Sequence, residues 1–78
     1  MEFSDRLRSL LADNHVSTKS LAEASKVNIR SIQLYLRSAQ QPTLPAVIAI
    51  ADYFGVSLDY LVGRTDDPHG SYQVADDS

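Results

Sequence analysis

The stretch VNIRSIQLYLRS, Val27 to Ser38, mixes two arginines and a glutamine with Ile29, Ile32, Leu34, Tyr35 and Leu36. Set at helical intervals, the mixture separates. Asn28, Ile32 and Tyr35 fall together, with Ile29 and Leu36 on the shoulder. Arg30, Gln33, Leu34 and Arg37 occupy an opposite arc about 100° wide. The pattern predicts a helix from an Asn28 cap to about Ser38, with one face for a core. The other face carries two guanidinium groups, an amide and a single leucine. Charge on a helix exterior is commonplace, so periodicity alone does not separate a binding face from a solvated one.

Four further helical patterns surround this one, and no strand pattern accompanies them. FSDRLRSLLADN places Phe3, Leu7, Leu10 and Leu11 on one face, with Ser4 or Asp5 as the expected cap. STKSLAEAS is short and begins at Ser17, a cap residue whose capping box is incomplete because Ser20 stands three positions later. SAQQ and Pro42 form a polar loop, after which Thr43 caps a fourth helix with Pro45 in its first turn. Leu44, Val47, Ile48, Ala51 and Phe54 form its expected buried stripe. Gly55 stops it, Ser57 caps a short fifth helix, LDYLV, and Gly63 ends that one. Leu58 and Leu61 are expected to serve the core.

The predicted architecture is all-α: one compact five-helix bundle over residues 1–64, with residues 65–78 as a flexible, disordered acidic tail. Helices two and three are separated by about three residues, the length of a helix-turn-helix corner.

Net charge is −3, but it is unevenly distributed. Through Arg64, seven bases against six acids leave +1, whereas the last 14 residues hold four aspartates and no base. Between Asn14 and Ala51 four bases stand against Glu23 alone. An acidic total therefore does not exclude a polyanionic partner for the middle of the chain. There is no cysteine, hence no disulfide framework and no thiolate metal site. The longest apolar run, Ala46 to Ala51, is too short to span a bilayer, and MEFSDRLRS has no secretory core. A cytoplasmic protein with no membrane association is expected.

The outer face of helix three suits the major groove. Arginine donates twice to guanine, glutamine pairs with adenine, and an aliphatic group touches the thymine methyl. In SLAEASKVNIRSI, Ala22 is small where two helices of a corner approach closely, and Leu21, Val27 and Ile32 are apolar where it turns inward. Here the chain resembles the phage-repressor and Cro-like (XRE) helix-turn-helix regulators, from about Phe3 to Asp66. The most specific part is IADYFGVSLDYLVGRTD, Ile50 to Asp66, which is similar to the fourth and fifth helices of many short Gram-positive and prophage regulators.

The resemblance implies a lambda-repressor-like DNA-binding domain and a sequence-specific transcriptional regulator, acting as a repressor. It implies that Thr18, Lys19 and Asn28 meet phosphates. Ile29, Arg30, Gln33 and Leu34 then face base edges, and Arg37 reaches backbone or base. For Asn28 a cap alone, and for Ile29 packing against helix two, are the bland alternatives. The implied partner is double-stranded DNA carrying a palindromic operator, bound by a homodimer. The fifth helix and its lead-in, with Val56, Leu58, Tyr60 and Val62, are the candidate self-association surface; the alternative is that these residues close the domain's own end.

Four features depart from the family. Thr18 stands where glutamine is usual. Lys26 stands where glycine is frequent, because the turn favours positive φ. SAQQ lacks the bases that grip phosphate, which lowers affinity and salt sensitivity. Leu11 and Leu36 replace a buried arginine–glutamate pair, so the two leucines are expected to touch; an apolar pair is a physically coherent replacement for a buried ion pair.

No catalytic residues, cofactor or metal are expected. His15 and His69 lack partners at catalytic or metal-ligand spacing, and no glycine-rich phosphate loop is present. The rival function is an antitoxin-like or anti-repressor module that keeps the fold and binds protein, motivated by the bare SAQQ loop and the acidic tail.

Overall fold

The computed structural model describes residues 2–69. Five helices follow one another: α1 (Phe3–Asp13), α2 (Thr18–Ser25), α3 (Ile29–Leu36), α4 (Leu44–Phe54) and α5 (Leu58–Leu61). Among the described residues there is no strand. No helix there is long and apolar enough to cross a membrane. The architecture is the all-helical bundle that the periodicities predict.

Four of the helix starts are made by short polar side chains. Ser17, Asn28, Thr43 and Ser57 each accept a backbone N–H of the first turn, at Ser20, Arg30, Ala46 and Tyr60 respectively. Each bond satisfies one of the amides that a helix N-terminus leaves without a partner. α1 is the exception. It begins at Phe3 behind Glu2, which makes no side-chain cap, so the expectation of a cap at Ser4 or Asp5 is overturned. Ser4 lies inside the helix and is buried, and Asp5 pairs with Arg8 at 3.3 Å.

One core joins the helices. Leu7, Leu21, Ile32, Ile50 and Leu61, one from each helix, are fully buried, and Leu10, Leu11, Tyr35, Ala46, Val47 and Ala51 surround them. α2 packs on α3 and α4, α1 on α3 and α5, and α4 on α5. The expected stripe on α4 is corrected. Val47 and Ala51 are buried and Phe54 is half-buried, but Leu44 is 66% and Ile48 41% exposed, while Ala46 and Ile50 take their places. The buried face is thus turned by about 60° from the expected one. Nearly every residue from Leu44 to Ala51 is apolar, so periodicity leaves the face open. Contact with both α2 and α5 decides it. Leu58, expected in the core, is likewise 41% exposed, whereas Leu61 is completely buried.

The helix stops are less conspicuous in sequence than the starts. Gly55 and Gly63 adopt positive φ, but so do His15, Lys26 and Ser38. After α1 and α3 the chain closes in the same way. Val16 N–H donates to the Leu11 carbonyl and His15 N–H to Ala12; Ala39 N–H donates to Leu34 and Ser38 N–H to Tyr35. Both are Schellman closures built on a non-glycine residue. Lys26, as its position in the corner predicts, is left-handed, with φ 62° and ψ 24°. Its side chain is exposed and makes no hydrogen bond or ion pair among the described residues. Lys26→Gly should therefore stabilise the domain by about 0.5–1 kcal/mol, the left-handed penalty less the extra chain entropy of glycine. A thermal melt of the two proteins checks this; an unchanged or lower midpoint for the glycine variant would contradict it.

Residues Thr65–His69, assigned by composition to the tail, are bonded to the bundle. Ser57 N–H donates to the Pro68 carbonyl at 2.8 Å. Arg6 reaches across from α1: its Nε donates to the Tyr60 carbonyl at 3.0 Å, and its Nη2 to the Thr65 carbonyl and Asp66 Oδ1, both at 3.1 Å. The guanidinium also lies over the Tyr60 ring, 3.9 Å from its centroid. The rest of the expected acidic tail, residues 70–78, lies outside the described residues.

Candidate nucleic-acid interface

The corner between α2 and α3 is held from inside and by its own polar atoms. Leu21 and Ile32 are fully buried and Val27 and Ala22 half-buried. Ser25 Oγ donates to the Leu21 carbonyl at 2.6 Å and accepts from Val27 N–H at 3.3 Å, so one hydroxyl closes α2 and orients the turn. Lys26 then reverses the chain and Asn28 starts α3, accepting from Arg30 N–H at 2.8 Å.

α3 divides as the helical projection predicts. Ile32 and Tyr35 face the core, and the Tyr35 ring meets Phe3 of α1 edge-on with centroids 5.7 Å apart. Leu36 is half-buried against the same core. Arg30, Gln33 and Arg37 are exposed on the opposite side, and Leu34 is half-buried between the two faces. Ile29 is 38% exposed and lines a shallow depression with Lys19, Ala22 and Glu23, so it both meets α2 and faces outward.

The other residues singled out by sequence lie on α2 and at the start of α3. Thr18 and Lys19 open α2, Thr18 half-buried and Lys19 exposed. The Asn28 side-chain oxygen is engaged as a cap, while its Nδ2 donates to nothing among the described residues. A cap role thus leaves a donor available. Lys19, Lys26, Arg30 and Arg37 make no ion pair among the described residues. Four cations with Glu23 as the sole acid on these elements give the α2–α3 surface a positive field that the total charge conceals.

Leu11 and Leu36, expected to touch, line one apolar depression together with Arg8, Ala12, His15, Val16 and Ser17. Sequence reasoning missed the residues that flank them. Arg8 Nη2 donates to the Leu36 carbonyl at 2.6 Å, and the Ser38 hydroxyl donates to Ser4 Oγ at 2.8 Å. The available signal was spacing: Arg8 and Ser4 lie one and two turns before Leu11, on the face already expected to meet α3.

At the opposite end, Val56, Tyr60 and Val62 are half-buried and packed on the core, while Leu58 projects. His15 stands at the end of α1 in its left-handed turn. His69 N–H donates to Asp67 Oδ1, and the neighbouring Asp66 is held by Arg6.

The family described as helix-turn-helix matches residues 7–61, which include the corner and all of α2, α3 and α4. An uncharacterized HTH-type transcriptional regulator, YobD of Bacillus subtilis (strain 168), is 32% identical over 66 residues, 85% of this chain and 59% of its own length. A transcriptional regulator from Listeria innocua, known from a crystal structure, superposes with a TM-score of 0.73 at 26% identity, over 97% of this chain and 65% of that one. The chain spans less than two thirds of either relative's length.

Proposed function

The chain belongs to the XRE-like helix-turn-helix family of DNA-binding transcriptional regulators, and from that premise we propose that it is a sequence-specific repressor whose α3 enters the major groove. The observation that carries this reading is the outer face of α3. Arg30, Gln33 and Arg37 stand exposed at i, i+3 and i+7, on a helix locked to the core by Ile32 and Tyr35. Arg30 and Gln33 present the donors and acceptors that read guanine and adenine edges, and Leu34 and the exposed part of Ile29 suit thymine methyls. Arg37 reaches base or backbone.

Phosphate is met by the start of α2. Thr18 and Lys19 N–H groups lie in the first turn, where a helix leaves amides without intrahelical acceptors, and the same two residues carry a hydroxyl and an ammonium. Asn28 adds its Nδ2. SAQQ contributes hydrogen bonds without charge, so the salt dependence is shallower than that of a basic relative.

One short recognition helix covers few base pairs, so the functional unit is a homodimer on a palindromic operator, with half-sites about one helical turn apart. Leu58, with Val56, Tyr60 and Val62 beneath it, is the proposed self-association surface. The role is binding, with no catalysis and no cofactor.

The test is retention of sheared DNA from the source genome by the purified chain, at about 50 mM and 200 mM salt, followed by sequencing. A few roughly palindromic sites, weakened at the higher salt, are expected. Retention of nothing at either salt would reject DNA reading and direct the search to a protein partner.

A further inference from the structure

We infer that Arg8, seconded by Ser4, is a positioning residue that sets the pose of α3 from outside it. The inference rests on the reading of α3 as the DNA-facing helix.

Ser4, Arg8 and Leu11 follow one another at i, i+4 and i+7 along α1, and all three meet the C-terminal end of α3. Ser4 accepts from the Ser38 hydroxyl, Arg8 donates to the Leu36 carbonyl, and Leu11 shares an apolar depression with the Leu36 side chain. The last carbonyls of a helix have no intrahelical donor. In α3, those of Gln33, Leu34 and Tyr35 take the amides of Arg37, Ala39 and Ser38. The Leu36 carbonyl has Arg8 as its donor, and no other among the described residues. The bond is short at 2.6 Å and charge-assisted, and it brings a cation to the negative end of the helix dipole. Asp5 holds the other arm of the guanidinium at 3.3 Å. That exposed pair adds little energy of its own, but it restricts the directions in which Arg8 reaches.

The mechanical consequence follows from where α3 is held. Its start is fixed by the corner and the Asn28 cap, so a swing about that point displaces Arg37 most, Leu34 and Gln33 less, and Arg30 least. The α1 clasp acts at the end that would swing. Its two polar bonds join residues 28 and 34 positions apart, so it ties α3 to a helix outside the corner itself.

Arg8→Met and Arg8→Lys in the full chain test this by two readouts. Without DNA, Arg8→Met should speed amide hydrogen exchange at Ser38 and Ala39 by about 10-fold while α2 and α4 amides keep their protection. Arg8→Lys should recover part of it, since an ammonium also donates to a carbonyl. Unchanged protection at the end of α3 overturns the clasp, whatever the DNA result.

The second readout compares a duplex carrying a site retained from genomic DNA with a scrambled duplex of equal composition. Arg8→Met should weaken the site about 10-fold and the scrambled duplex less than about 2-fold, so that discrimination contracts. Equal losses on both, with a shallower salt dependence, would make Arg8 a direct phosphate contact and overturn the positioning role. If the unaltered chain retains no DNA, the reading of α3 fails and takes the DNA-positioning role with it; the exchange result then decides separately whether the clasp exists.

Discussion

Arg6→Ala should lower the melting midpoint of the domain by about 15 °C, which corresponds to about 2–4 kcal/mol for a chain of this size. The Arg6 side chain is only 8% exposed, and its guanidinium is used on three sides. It donates to the Tyr60 and Thr65 carbonyls and to Asp66, and its flat face lies on the Tyr60 ring. Asp66 is 98% exposed, so that ion pair is a minor contributor. The larger share comes from charge-assisted bonds to carbonyls and from the stacked ring. Asp66→Asn should accordingly move the midpoint by less than about 3 °C, as expected for an exposed pair. Thermal unfolding followed by circular dichroism separates the two variants. A small effect for Arg6→Ala, or a large one for Asp66→Asn, would show that this account of the α1–α5 junction is wrong.

The second large effect is on recognition. Arg30→Ala should reduce affinity for the specific site by about 30-fold or more, because a bidentate arginine–guanine contact discriminates by about 1–3 kcal/mol and a dimer loses it twice. Binding to scrambled DNA should fall far less. Arg30 is exposed and unpaired among the described residues, so its loss leaves the fold and the melting midpoint close to unchanged. Arg37→Ala is the informative companion. Uniform weakening across sequences, with a salt slope reduced by about one, would mark Arg37 as a phosphate contact; relaxed specificity at one base position would mark it as a reader. An Arg30→Ala protein that still selects the same sites with similar affinity would remove Arg30 from the interface.

Much of the architecture is readable one segment at a time. Ser17, Asn28, Thr43 and Ser57 are recognisable as caps because each bonds an amide only two or three residues ahead. Ile32 and Tyr35 are recognisable as the anchors of α3 because they lie opposite Arg30, Gln33 and Arg37 around the helix. Lys26 is expected to be left-handed only through the resemblance, because relatives often carry glycine at that place in the corner.

Other features resist such reading. α4 is apolar on too many sides for its pattern to choose between Ile48 and Ile50. Nothing local announces that His15 and Ser38 must take positive φ, since each does so to close a Schellman turn that aims the chain at its next helix.

By itself, then, the sequence determined the helices, the starts of α2 to α5, the corner and the polar outer face of α3, because capping bonds and periodicity act within one or two turns. Only the tertiary structure decided which side of α4 is buried, that Leu58 projects, that Arg6 is buried at the α1–α5 junction, and that the exposed Arg8 bonds the end of α3. Their bonds span 54 to 60 residues for Arg6 and 28 for Arg8. A contact of that reach depends on where the packing of every intervening helix delivers its acceptor, and no local pattern records that position.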